Sequence, residues 1–142
     1  MIDLPPVIEL GPDELCAAND VYRTIGFWPS DPRSARTFAM HGNDDLVALG
    51  RLRTHADGAL ELGGIWTAER WRRRGLAHRM VTALLDEVPK ARPVHCIAVA
   101  TIAGLYRGLG FAEPRDAIPS SIAANVEAAR RVHPATLLVR RR

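Results

Sequence analysis

Cysteine, histidine and lysine are few or irregularly placed in the 142-residue sequence, which excludes several classes of protein. The two cysteines, Cys16 and Cys96, lie far apart and form no Cys-x-x-Cys pair, so neither a disulfide scaffold nor a thiol redox centre is predicted. The five histidines show no spacing typical of metal ligands, and we expect no metal site. Two lone cysteines are typical of a reduced compartment, and the predicted location is therefore cytoplasmic.

Long apolar runs are absent as well. No stretch approaches the ~20 apolar residues that a membrane-spanning helix needs, and residues 1–6 lack the basic-then-apolar order of a signal peptide. We therefore expect no membrane association. Arginine makes up 18 of the 19 basic residues, and the net charge is only +3. This charge suits a polyanionic ligand but is far below that of a nucleic-acid-binding tail, so nucleic acid is not an expected partner.

The length of 142 residues predicts a single domain, residues 1–142, and hydrophobic periodicity predicts that it mixes strands and helices. Strands are expected near residues 7–10, 37–41, 46–54, 60–67, 94–100, at 112 and over 135–139. Helices are expected over residues 14–25, 75–88, 101–109 and 120–132. Turn-forming connectors at 42–45 and 55–58 predict antiparallel neighbours, whereas the strand–helix–strand order from residue 60 to 100 predicts a parallel pair. Paired glycines, Gly63 and Gly64, predict a bulge in the strand over 60–67.

The most informative segment runs from Trp66 to Ala77, where an apolar strand ends, three arginines follow and a helix begins after Gly75. A helix N-terminus presents unpaired N–H groups and the positive end of the helix dipole, so it binds anions. Small residues at Gly75 and Ala77 let a bulky phosphate approach the backbone, and the arginines add positive charge. The sequence therefore predicts a pyrophosphate-binding cradle formed by Arg72, Arg73, Arg74, Gly75, Leu76 and Ala77.

The spacing Arg72-x-x-Gly75-x-Ala77 resembles the acyl-CoA-binding signature Gln/Arg-x-x-Gly-x-Gly/Ala of the GNAT acetyltransferase superfamily. Residues 104–111 resemble that family's later Leu-Tyr-x-x-x-Gly-Phe element, in the same order and at about the same separation. The resemblance implies an α/β fold with a mixed, mostly antiparallel sheet flanked by helices, in which one central parallel pair is splayed at a bulge. It also implies direct transfer of acetyl from acetyl-CoA to a primary amine, with no metal.

The resemblance assigns roles to individual residues. Tyr106 matches the tyrosine of the later element, and its phenol would protonate the leaving thiolate; the alternative is a tyrosine that packs in the core. Glu61 stands where some members carry a catalytic base; the alternative is a solvated strand glutamate. Trp66 and Thr67 match the strand end whose backbone pairs with pantetheine, so they join the expected cofactor-binding residues.

Several positions depart from the family pattern. Val99 replaces a frequent asparagine, and Arg73 replaces a common glycine. Residues 118–134 are helix-like where many members have a hairpin. That segment and residues 27–32 are expected to border the acceptor site, with Trp28 as a candidate contact or a plain loop anchor.

The expected acceptor is a small-molecule amine or an amino acid rather than a protein, and a homodimer is compatible with the sequence. Two alternatives remain open at this point. One is a non-catalytic acyl-CoA sensor on the same fold, and the other is an arginine-mediated polyanion-binding module. The sensor would bind CoA without turnover, whereas the polyanion module would tolerate the loss of Gly75.

Overall fold

A computed structural model of the chain describes residues 3–141, which form six strands and four α-helices. The strands are β1 (Ile8–Glu9), β2 (Ala35–Gly42), β3 (Asp45–Thr54), β4 (Leu60–Thr67), β5 (Val94–Val99) and β6 (Ala135–Arg140). The helices are α1 (Cys16–Thr24), α2 (Leu76–Asp86), α3 (Ala103–Gly108) and α4 (Ser120–Arg130). The strands follow one another in a six-stranded sheet in the order β1 to β6. This mixed, mostly antiparallel sheet with one parallel pair and flanking helices confirms the predicted fold class.

Element boundaries differ from the predictions in a few places. Helix α2 begins at Leu76 and not at Gly75, because Gly75 has φ 84° and precedes the helix as its N-cap. The helix also ends at Asp86, two residues before the predicted limit, with Glu87 as its C-cap. The residue expected to start a late strand, Ala112, forms only an isolated antiparallel bridge with Val139.

The chain divides into two compact units, and the first contains Met1–Leu52 and Gly64–Glu87. Its antiparallel pair β1–β2 places Ile8 opposite Ala39. Helix α1 buries Ala18 and Tyr22 against Ala39 and Leu49, and α2 buries four side chains at helical spacing. Those four are Leu76, Met80, Val81 and Leu84. A Cβ at Gly50 of β3 would lie within 3 Å of Met80, Leu84 and Ile65, so α2 packs directly on the β3 backbone.

The second unit contains Arg53–Gly63 and Val88–Arg142. Here β4 and β5 are parallel, as predicted, with Glu61 opposite His95 and Leu62 opposite Cys96. Strand β6 runs antiparallel to β5 and pairs with it from Val94↔Arg140 to Val99↔Ala135. Helix α4 packs Ile122 and Val126 against Leu137 and Ile97. No helix within residues 3–141 is both long enough and apolar enough to cross a membrane.

Candidate functional site

The start of α2 is an open helix N-terminus. Gly75 adopts a left-handed conformation, with φ 84°, and no side chain caps the helix there. Arg73 is left-handed as well, with φ 65°, so the chain turns sharply just before the helix. A Cβ on Gly75 would meet no atom within 4 Å, so the space in front of the backbone is empty. A helix N-terminus with no capping group and open space before it is suited to binding an anion.

The side chains around this turn divide into exposed and packed groups. Arg72, Arg73 and Arg74 are all exposed, and none of them forms an ion pair with another described residue. The Arg74 guanidinium lies 4.8 Å from the centre of the Trp71 ring. Leu76 is buried, so within the cradle it can contribute only its backbone N–H to a ligand. The turn therefore offers backbone donors together with three exposed positive charges that no carboxylate of the described residues neutralises.

The strand end before the turn is partly occupied by the protein's own contacts. Arg72 Nε donates a hydrogen bond to the Thr67 carbonyl at 3.2 Å. The Trp66 ring packs against the core cluster of the first unit. Trp66 thus has a structural role as a side chain, and any part it has in pantetheine binding would fall to its backbone.

Gly64 is the irregular residue of β4. Its φ is 61°, a left-handed value that a β-bulge uses and that glycine adopts readily. The buried Tyr22 of α1 donates its hydroxyl to the Gly64 carbonyl at 2.8 Å. The Arg51 guanidinium lies over the Tyr22 ring, 4.2 Å from its centre. Burial raises the pKa of Tyr22 well above its ordinary value, so this hydroxyl keeps its proton and remains a donor.

The loop that carries Trp28 is fixed by hydrogen bonds, although the Trp28 side chain is 84% exposed. Arg51 Nη1 donates to the Trp28 carbonyl at 2.8 Å and to Ser30 Oγ at 3.1 Å. Asn19 bonds the Ser30 backbone from both its amide nitrogen and its amide oxygen. A fixed backbone that presents an exposed aromatic ring is compatible with the predicted contact to an acceptor.

Tyr106 lies on α3 and is only 3% exposed. Its ring packs edge-on against Phe111, with centres 5.4 Å apart, and its hydroxyl interacts with the Cys96 thiol. Burial raises the pKa of Tyr106 well above its ordinary value and that of Cys96 to about 12. Tyr106 therefore carries a proton at neutral pH, and its hydroxyl is engaged with the Cys96 thiol.

Glu61 is not a solvated strand glutamate, because its side chain is only 17% exposed. Its Oε1 accepts hydrogen bonds from His55 Nε2 at 2.8 Å and from Asn125 Nδ2 at 3.0 Å. Side chains of paired residues share a face of a sheet and successive ones alternate. Glu61 therefore shares a face with His95, whereas Cys96, which bonds Tyr106, points to the opposite face. The two predicted catalytic residues approach the β4–β5 pair from opposite sides.

A sequence profile described as the acetyltransferase (GNAT) family matches residues 9–111, which is most of the chain. The chain belongs to the GNAT family of acetyltransferases. It is thus a member of a family of acyltransferase enzymes, as the two motifs predicted. No curated protein sequence matches it.

Solved structures of GNAT proteins resemble the whole chain. ElaA from Escherichia coli has a TM-score of 0.71 at 16% identity, covering 96% of this chain and 99% of its own. The ribosomal-protein-S18-alanine N-acetyltransferase of Escherichia coli has a TM-score of 0.67 at 17% identity, and the match covers 96% of this chain and 93% of that one. N-acetylglutamate synthase from Neisseria gonorrhoeae, complexed with coenzyme A and N-acetyl-glutamate, has a TM-score of 0.69 at 12% identity. The match covers 99% of this chain and 36% of the synthase. At these identities the likeness establishes the GNAT fold.

Three polar residues beside Glu61 were not predicted from the sequence. Asn125 lies on the inward face of α4 beside Val126, where a polar residue among apolar ones was a usable signal. His55 follows β3 in the connector, and no spacing marked it. His95 is 4% exposed; it donates to the Leu60 carbonyl, burial lowers its pKa, and its Nδ1 has no partner in the described chain. Within residues 3–141 no cluster of three or more His, Cys, Asp or Glu could hold a metal ion.

Proposed function

We propose that this GNAT protein is one catalytic domain that transfers acetyl directly from acetyl-CoA to the primary amine of a small molecule or amino acid. The observation that carries the proposal is the open start of α2 at Gly75, next to three unpaired arginines. The diphosphate of CoA is the anion that such a site suits in this family. The location proposed for the reaction is the cytoplasm.

The proposed chemistry removes two protons from the acceptor nitrogen and adds one to the leaving sulfur. Glu61 takes a proton from the ammonium of the acceptor, and the neutral amine then attacks the thioester carbonyl carbon. The new C–N bond forms as the C–S bond breaks, the sulfur leaves as a thiolate, and the nitrogen gives its second proton to water. Tyr106 gives that thiolate a proton if its hydroxyl turns away from Cys96; otherwise water does so.

The positions of Glu61 and Tyr106 restrict how substrates could bind. Because they lie on opposite faces of the β4–β5 pair, one reaction can use both only if the substrates meet through an opening between the strands. The left-handed residue Gly64, directly after Gly63, supports such an opening at the predicted bulge. Structural relatives named for alanine and for glutamate acetylation share an amine as acceptor, which supports the same class here.

Binding and turnover are tested separately. Acetyl-CoA should stabilise the fold by RT ln(1+[L]/Kd), or about 2.7 kcal/mol at a hundredfold excess over Kd. Thermal shifts with acetyl-CoA, a longer acyl-CoA and heparin would distinguish acetyl-CoA from other acyl donors and from a general polyanion. Release of free CoA is then followed with amino acids, spermidine and an alanine-ended peptide. Stabilisation without any product would indicate a sensor, and stabilisation by heparin alone would defeat the proposal.

A further inference from the structure

The two oxygens of the Glu61 carboxylate have different surroundings. Oε1 accepts hydrogen bonds from His55 and from Asn125, which come from two other elements of the second unit. No described residue is bonded to Oε2. His55 is itself buried, with 6% of its side chain exposed, so the donor cannot swing away freely. The carboxylate is therefore held by one oxygen and presents the other.

Space is available next to the free oxygen. Gly63 lies two residues after Glu61, so both residues face the same side of β4. A Cβ on Gly63 would have one neighbour within 4 Å, which is Glu61 Oε2 at 3.8 Å. Any side chain at this position would begin to fill the space in front of Oε2. The glycine therefore keeps that space open.

The charges around Glu61 favour a cation in this space. Among residues 3–141, no arginine or lysine forms an ion pair with Glu61. Its neighbours are His55, Asn125 and, across the parallel ladder, His95, which also has an unpartnered ring nitrogen. A carboxylate withdrawn from water is destabilised unless a cation or donors compensate it, and here the donors reach only one oxygen. The group that fits beside Oε2 carries positive charge and N–H donors, and little bulk.

We propose that the acceptor binds as a primary ammonium that donates to Glu61 Oε2 beside Gly63, and that His55 and Asn125 are positioning residues for this carboxylate. This inference rests on the proposed acetyl transfer. The ammonium gives one proton to Oε2, and its nitrogen lone pair becomes free to attack the acetyl carbon. By holding Oε1, the two donors keep Oε2 directed at the nitrogen. Gly63 leaves room beside Oε2 for the ammonium to approach.

Kinetic variants test the positioning role with the acceptor from the amine panel that turns over fastest. Asn125→Ala and His55→Ala should lower kcat/KM for that acceptor by about ten- to a hundredfold, because a misdirected base reduces reactivity steeply. His55→Gln keeps an N–H donor and should recover most of the loss. The thermal shift with acetyl-CoA should stay unchanged in all three. Matched controls are Glu127→Gln on the exposed side of α4 and His133→Gln in an exposed loop.

A binding measurement keeps the inference testable even without turnover. The probe is methylammonium, added to the acetyl-CoA-loaded protein while the side-chain NMR signals of Asn125 and His55 are followed. A saturable shift should occur in the wild type and be lost in Glu61→Gln and Gly63→Ala, and tetramethylammonium, which has no N–H, should produce none. The inference is overturned by no response to methylammonium, by equal responses to both ions, or by His55→Ala and Asn125→Ala turning over normally. A protein that also fails to bind acetyl-CoA would instead contradict the proposed function.

Discussion

The cradle at Arg72–Ala77 and the polar residues beside β4 and β5 differ in how far their functional groups are already bonded within the protein. In the cradle the charges are exposed and unpaired, and the left-handed Gly75 leaves the helix start uncapped. Beside β4 and β5, Glu61 is held by two donors and Tyr106 is bonded to a buried thiol. We propose that the cradle can take up an anion without rearrangement. The second region can react only where one of its groups keeps a free atom, as Glu61 does.

The largest expected effect is loss of acetyl-CoA binding in Gly75→Glu. The substitution places bulk and negative charge where a phosphate would approach, so binding should be undetectable at about millimolar acetyl-CoA. The matched control is Gly58→Glu, since Gly58 has nearly the same φ, 86°, and equal free space. Both variants should lose about 1–2 kcal/mol of stability from the left-handed side chain. Unchanged affinity by isothermal titration in folded Gly75→Glu would place the phosphates elsewhere.

Next in size is Tyr106→Phe, which tests whether a buried tyrosine takes part in the chemistry. If Tyr106 is the acid, kcat should fall about tenfold to a hundredfold while acetyl-CoA affinity stays the same. Cys96→Ala removes the partner of the hydroxyl but not the proton, and should leave turnover largely intact. If both variants turn over normally across the pH range, the hydroxyl is a packing feature and water protonates the thiolate.

A smaller effect follows from three buried titratable groups, which are Cys96 and Tyr106 in the second region and Tyr22 of α1. The thiol of Cys96 has an ordinary pKa of 9.0, which burial raises to about 12. Burial also raises the pKa values of the Tyr22 and Tyr106 hydroxyls above their ordinary value of 10.0. Above the ordinary pKa the unfolded chain releases a proton that the folded chain keeps. Each group therefore stabilises the fold fully below that pH, and this contribution is lost as pH rises, by about 1.4 kcal/mol per pH unit.

Variants distinguish these groups, because each removes the pH dependence of stability over a different pH range. Between about pH 9 and pH 10 Cys96→Ala should flatten the decline of the free energy of unfolding, measured with urea, while Tyr22→Phe should leave it unchanged. Above about pH 10 Tyr22→Phe should flatten it as well. Equal slopes in wild type and Cys96→Ala throughout would mean that the thiol titrates as freely in the folded protein as in the unfolded one.

The smallest expected effect is a gain in stability for Arg73→Gly. Arg73 has φ 65°, which is unfavourable for a residue with a Cβ and natural for glycine. Relief of that strain should raise the free energy of unfolding by up to about 1 kcal/mol. The greater conformational entropy of glycine in the unfolded chain offsets part of this gain. Loss of one exposed charge should weaken acetyl-CoA binding by a few-fold, measurable as a salt-dependent change in Kd. A loss of stability would show that Arg73 makes a compensating contact.

The contrast also explains what the sequence could predict. The cradle depends on a short run of neighbouring residues, because backbone N–H groups bind the anion and only Gly75 and the arginines must be recognised. The parallel β4–β5 pair followed from the strand–helix–strand order, and the fold class followed from the resemblance that the two motifs carry. The donors to Glu61 could not be found in the same way. Asn125 meets it only after α4 has packed, and His55 reaches it across the β3–β4 connector, where no spacing marks the pair. The Tyr106–Cys96 bond likewise depends on α3 lying on β5.

Arg51 restricts how the Trp28 loop, which we predict to border the acceptor site, could be altered. The same guanidinium bonds the Trp28 carbonyl and Ser30, and lies on Tyr22, whose hydroxyl holds Gly64. A grafted loop with a different backbone would release Arg51 and, through Tyr22, loosen β4 as well. A library that varies the Trp28 side chain while keeping Ser30 and the loop length changes the exposed surface and leaves that support intact. Directed evolution of this enzyme is therefore best confined to side chains at this loop.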